Sequence, residues 1–187
     1  LNLSSISQVY KNGKLVCENG KALFECETVD NSKVTNTVHL PKISADFFKT
    51  DVKDKFDAIE LIPESIITKK VTVSYSDSLS KVCVIERHHN LGTKGIGFVT
   101  NYGITNGAIA TSIGHDSHNV IVIGDNDSDM ALAVNTLGTS GGIAVCSEGK
   151  VIASMTLDIA GLMSVKSADE VTREHDNLYS AAKVLNI

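Results

Sequence analysis

The chain has 187 residues, a formal net charge of −5, 42% apolar and 21% charged residues, and no tryptophan. That is enough chain for one domain, or one domain with a piece of another, in an ordinary globular composition. No basic block offsets the negative charge, which argues against nucleic acid as a partner. No apolar run approaches the ~20 residues that a membrane span needs, so no membrane partner is expected. No basic-then-apolar leader opens the sequence, which begins at Leu1 without Met. The expectation is a cytoplasmic chain that forms one piece of a longer protein. Cys17, Cys26, Cys83 and Cys146 lie far apart in apolar runs with no Cys-x-x-Cys pair, the pattern of buried reduced thiols.

Residues 1–29 read as a small antiparallel β unit. Strands at 6–10, 15–17 and 22–26 are joined by Asn12-Gly13 and Asn19-Gly20. Asn-Gly between apolar runs is a strong hairpin signal, because a type I′ turn needs positive φ at both central residues. Three such strands bury too little to stand alone. Residues 30–55 are polar and poorly patterned around one apolar island, Phe47-Phe48, and read as a linker.

The main domain is expected over 56–187. Strands are predicted at 57–62, 66–75 and 81–87, the last central and buried on both faces. A Gly-bearing turn leads to a strand at 95–100, then two more at 108–113 and 120–123. A helix follows, capped by Asp125 or Asp127, with Met130, Val134 and Leu137 as its buried stripe. Gly138, Gly141 and Gly142 end it. A hairpin pairs 143–146 with 151–155 about Glu148-Gly149-Lys150, and 157–164 is an apolar loop or single turn. The last helix opens on a capping box, Ser167 with Glu170, and buries Val171, His175, Leu178, Ala182 and Leu185. Many strands with two main helices and no βαβ alternation predict an α+β fold. Its sheet is mixed and mainly antiparallel, and the small β-hairpin unit precedes it.

The polar knot His115-Asp116-Ser117-His118-Asn119 sits between two buried strands, where unpaired polar groups cost about 1–3 kcal/mol each. Three readings stay open. It is a turn closed by side chain to backbone bonds, or a contact to a ligand or another domain. Otherwise it is a metal site, using His115, Asp116 and His118 in a stand-alone hydrolase. Neighbours in an extended segment point to opposite faces, so Asp116, Ser117 and His118 do not make a nucleophilic triad. At the end of the 81–87 strand, Arg87, His88 and His89 follow Glu86. Arg87 is placed either to bind a carboxylate or phosphate or to pair with Glu86 or an Asp at the surface. The acidic run 125–129 lacks the Gly and closing Glu of a calcium loop, so helix capping is expected there.

Seven blocks occur in order: Val84-Ile-Glu-Arg-His-His89, Gly95-Ile-Gly-Phe-Val99, Gly107-Ala-Ile-Ala110, His115-Asp-Ser-His-Asn119, Asp129-Met-Ala-Leu-Ala-Val-Asn135, Gly141-Gly142 and Ile159-Ala-Gly-Leu-Met-Ser164. Together they resemble the C-terminal domain of bacterial adenine deaminases, members of the amidohydrolase superfamily. Asn12-Gly-Lys-Leu-Val16 is similar to the last strands of the small β domain that flanks an amidohydrolase barrel. The resemblance implies hydrolysis of adenine to hypoxanthine and ammonia at a manganese or iron pair held on a (β/α)₈ barrel. The barrel's His-x-His signature is absent, and its eight units need ~250 residues. The expectation is therefore an accessory part with no catalytic residue, metal ligand or cofactor of its own. Its partners are the barrel of the same parent chain and further copies in a homo-oligomer. Arg87, His88, His89 and residues 115–119 are its candidate contacts to the active-site mouth or to the next domain. A purely non-catalytic oligomerisation module is the remaining alternative.

Overall fold

Two Asn-Gly dipeptides shape the first unit of the computed structural model, which describes residues 6–25, 27, 29–51, 54–75 and 79–187. Asn12 and Gly13 take φ of 50° and 75°, and Asn19 and Gly20 take 50° and 78°. They join β1 (Gln8–Lys11), β2 (Lys14–Glu18) and β3 (Lys21–Ala22) into an antiparallel sheet. The third strand is shorter than the predicted 22–26, and Cys26 lies outside the described residues. Leu23 and Phe24 beyond β3 are 54% and 56% exposed.

The contacts divide the chain into Leu1–Asn31 and Ser32–Ile187. The stretch expected to be a linker is irregular, apart from a 3₁₀ turn at Ala45–Phe48. It nevertheless supplies Val38, Ile43 and Phe48 to the core, each no more than 3% exposed. Asn135 explains how an unpatterned segment is held. Its side-chain amide accepts from Ile43 N at 2.9 Å and donates to Ile43 O at 2.7 Å, standing in for a strand neighbour. Residues 52–53 of this stretch lie outside the described residues.

The second unit is built on eight strands: β4 (Lys55–Leu61), β5 (Thr68–Ser74), β6 (Ser80–Ile85), β7 (Lys94–Thr100), β8 (Gly107–Thr111), β9 (Val120–Gly124), β10 (Gly142–Ser147) and β11 (Lys150–Thr156). Their order is β11-β10-β8-β9-β6-β7-β4-β5. Among the described residues only β4 and β7 pair in parallel. The helices are α1 (Asp127–Thr136) and α2 (Ala168–Val184). This is the α+β architecture expected from the pattern. No helix among the described residues is long and apolar enough to cross a membrane.

Alternation sorts each strand onto two faces. Cys83, Ile85, Ala108, Ala110, Val120, Val122, Ala144 and Cys146 face α1, which presents Met130, Ala133, Val134 and Leu137. The alanines let the helix approach closely, and each fully buried Val or Met contributes about 1.5–3 kcal/mol. The opposite face carries Val145, Met155 and Leu157 against Leu178, Ala181 and Leu185. There α2 packs mainly on β10 and β11, with Ile109 of β8 against the same cluster. β6 is central, as expected, but not buried on both sides: Val84 is 37% exposed, because no helix reaches that part of the sheet.

Three local expectations are corrected. The cap of α1 is Asn126, whose side chain accepts from Asp129 N, rather than Asp125 or Asp127. Asp125 instead accepts from Gly107 N at 2.9 Å, and Asp127 pairs with Lys81 at 2.5 Å. Both aspartates are thus committed to tertiary partners. The capping box of α2 is present in full, but His175 is off the buried stripe, with its side chain 60% exposed. Residues 171, 174, 178, 181 and 185 form that stripe, so Ala181 takes the buried place given to Ala182.

Candidate functional site

The polar knot and the end of β6 meet at one buried guanidinium. Arg87 is 2% exposed. Its Nε donates to His118 O, in the turn between β8 and β9. Its Nη2 donates to Ala160 O at 3.0 Å, in the loop after β11. Arg87 therefore makes neither the surface pair with Glu86 nor an ion pair with any other acid among the described residues. Burial pulls its pKa down from the usual guanidinium value. It answers backbone carbonyls, the strongest acceptors that two loops leave unpaired.

Both acceptor residues are strained. His118 has φ 50° and Ala160 φ 55°, left-handed values that cost a non-glycine residue about 1–2 kcal/mol. Next to Ala160, Gly161 (φ 69°) admits no side chain: a Cβ there stands 2.9 Å from Arg87 Nη1 and 3.2 Å from Val38 Cγ2. Ser112, fully buried at the end of β8, adds a second clasp. It donates to Gly161 O at 2.6 Å and accepts from Gly142 N at 2.7 Å. Ala160 N donates to Val34 O at 2.6 Å, and His39 N to Arg87 O at 2.8 Å. Five segments distant in sequence are thus tied into one junction.

The knot itself is a backbone turn. His118 N donates to Gly114 O at 2.7 Å and Ser117 N to His115 O at 2.9 Å. Asn119 N donates to Ser117 Oγ at 3.3 Å, and Asp116 takes φ 65°. His88 lies over the turn with Nε2 3.0 Å from Ser117 O. A carbonyl only accepts, so Nε2 carries the proton. Glu86 closes the β6–β7 connection by accepting from the backbone N–H of His88 at 2.5 Å, His89 at 2.7 Å and Leu91 at 3.0 Å. Those bonds, Leu91's foremost, hold its carboxyl below the usual range. His89 is exposed, its ring 6.4 Å from that of His88.

The donor set does not fit a metal. His115 and Asp116 approach to 3.2 Å with side chains 96% and 91% exposed, an arrangement open to water. His118 turns its Nδ1 inward, where that atom has no partner among the described residues. Nowhere among the described residues do three His, Cys, Asp or Glu side chains converge. The structure brings together Arg87, His88, Ser117 and His118, and leaves His89, His115 and Asp116 at the surface.

The sequence reading missed Ser112, Ala160, Gly161 and Asp129. Ser112 carried one usable signal, a hydroxyl inside the apolar run 108–113. Asp129, 2% exposed, accepts from Gly149 N at 2.8 Å and fixes the β10–β11 turn on α1.

A family model described as adenine deaminase C-terminal domain matches residues 60–187. Among curated proteins, adenine deaminase 2 of Carboxydothermus hydrogenoformans is 38% identical over 96% of this chain and 34% of its own length. The adenine deaminase of Clostridium acetobutylicum is 38% identical over 97% of the chain and 33% of its own length. That of Lysinibacillus sphaericus is 33% identical over 100% and 35%. The chain thus spans about a third of the length of the curated relatives it matches.

Proposed function

Because the chain belongs to the adenine deaminase C-terminal domain family, we propose that it serves as the accessory C-terminal part of an adenine deaminase. That enzyme converts adenine and water to hypoxanthine and ammonia. By itself the chain does not turn over adenine. The metal pair, manganese or iron, and the attacking water belong to the companion barrel, and the assembled enzyme is a homo-oligomer.

One observation carries this reading: the polar residues of the knot and of the β6 end are spent on backbone. Arg87 binds two carbonyls, Glu86 three N–H groups and His88 a third carbonyl. Groups committed to holding loops are unavailable as ligands or proton carriers. The junction therefore serves to present His89, His115 and Asp116 to a neighbouring domain.

The test is ammonia release from adenine by the purified 187-residue chain, with manganese or iron supplied, beside the full-length deaminase carrying it. No turnover by the chain and turnover by the longer enzyme is the expected result. Metal-dependent turnover by the chain alone, abolished by His115→Ala, would restore the stand-alone hydrolase.

A further inference from the structure

Part of the sheet face that bears α2 is open: Val84 is exposed, and Val82, Ile121 and Ile123 are half-buried. In register there, Val84 and Ile121 stand side by side and Val82 beside Ile123, while β7 offers Gly95 and Gly97 before the face closes over the buried pair Ser80 and Val99. A Cβ at Gly95 meets nothing within 4 Å, and one at Gly97 meets only Val82 Cγ1 at 3.7 Å. The result is an apolar trough with a bare backbone floor. One wall is α2 on β10 and β11, rising about 10 Å, a helix diameter, above the sheet. The far edge carries the exposed pair Lys70–Asp57, 2.6 Å apart. Between β9 and β4 the floor is about 15 Å wide, room for one helix or hairpin.

Strands that are apolar on both faces belong to sheets covered on both faces. β9 reads Val-Ile-Val-Ile-Gly, and only its valines and glycine face the core. We infer that this trough is the seat of the companion portion of the deaminase, which inserts a convex apolar element over Gly95 and Gly97. The inference rests on the deaminase reading and names the surface through which it works. One observation selects that occupant: the curated relatives are about three times the length this chain spans, so they carry ample further polypeptide.

The experiment places a thiol on the floor with Val84→Cys and compares maleimide labelling of that peptide in the 187-residue chain and in the full-length deaminase. Cys83 next to it faces the α1 side and is fully buried. Ile121→Cys repeats the measurement should Val84→Cys not fold. Labelling slower by about tenfold or more in the full-length enzyme is expected, since burial at an interface closes access. Equal rates in an enzyme that deaminates adenine overturn the docking inference and leave the deaminase reading standing. A full-length chain without deaminase activity overturns that reading and the inference resting on it. Concentration-dependent protection in the short chain, with a dimer by light scattering, assigns the trough to a second copy and also overturns the inference.

Discussion

Arg87→Met tests whether the guanidinium holds the loops. The side chain is 2% exposed, so substitution leaves His118 O and Ala160 O without their donor in a dry setting. Each charged hydrogen bond to a carbonyl is worth about 1.5–3 kcal/mol. Both acceptors sit in left-handed conformations that the bonds help to hold. Against this, methionine removes a buried charge that no carboxylate answers, which offsets part of the loss. The net expectation is a loss of about 3 kcal/mol, a large share of a typical 5–15 kcal/mol stability. Arg87→Lys, which offers a point charge in place of a fork, reaches one carbonyl and recovers about half. Urea denaturation gives the values, and hydrogen exchange shows whether the amides of residues 114–119 and 159–163 open first. A midpoint within about 0.5 kcal/mol of the parent, with both loops still protected, would refute this account.

Ser112→Ala removes a donor to Gly161 O and an acceptor for Gly142 N in a fully buried place, and should cost about 2–3 kcal/mol in the same assay. Gly142→Ala should not fold stably: φ is 128° and the new Cβ meets Met155 O at 1.9 Å. Glu86 has its pKa lowered in the folded chain, so its contribution is present above the ordinary glutamate pKa and is lost as pH falls through the lowered one. Glu86→Gln should therefore flatten the acid limb of a stability–pH curve, and an unchanged limb would count against the three-bond turn. Burial pushes the thiols of Cys83 and Cys146 up to about 11. Neither should react with iodoacetamide at pH 8 until the chain unfolds, whereas half-buried Cys17 should react in the native state.

Much of the fold is legible in the sequence because its signals are local. Two Asn-Gly turns, the Ser167–Glu170 box and the Met130, Val134, Leu137 stripe each depend on residues within two turns of one another, and all three stand in the structure. The boundaries of the central strands are legible for the same reason. The composition also separates the polar knot from its surroundings, though not what the knot does. Residues 30–55 read as a linker with one packed anchor at Phe47-Phe48, and the further order around Ile43 comes from Asn135, 92 residues away, and leaves no periodic trace.

The sequence by itself determined the kinds of element, their order and the family. Only the tertiary structure decided what the polar residues are for, since Arg87 finds its acceptors 31 and 73 positions away. Asn126 displaced its acidic neighbours as the helix cap because Gly107 and Lys81, folded in from elsewhere, claimed them. Periodicity tells a residue which face it lies on. What stands opposite that face, whether α1, α2 or the open trough over Gly95 and Gly97, is set by the packing of distant segments.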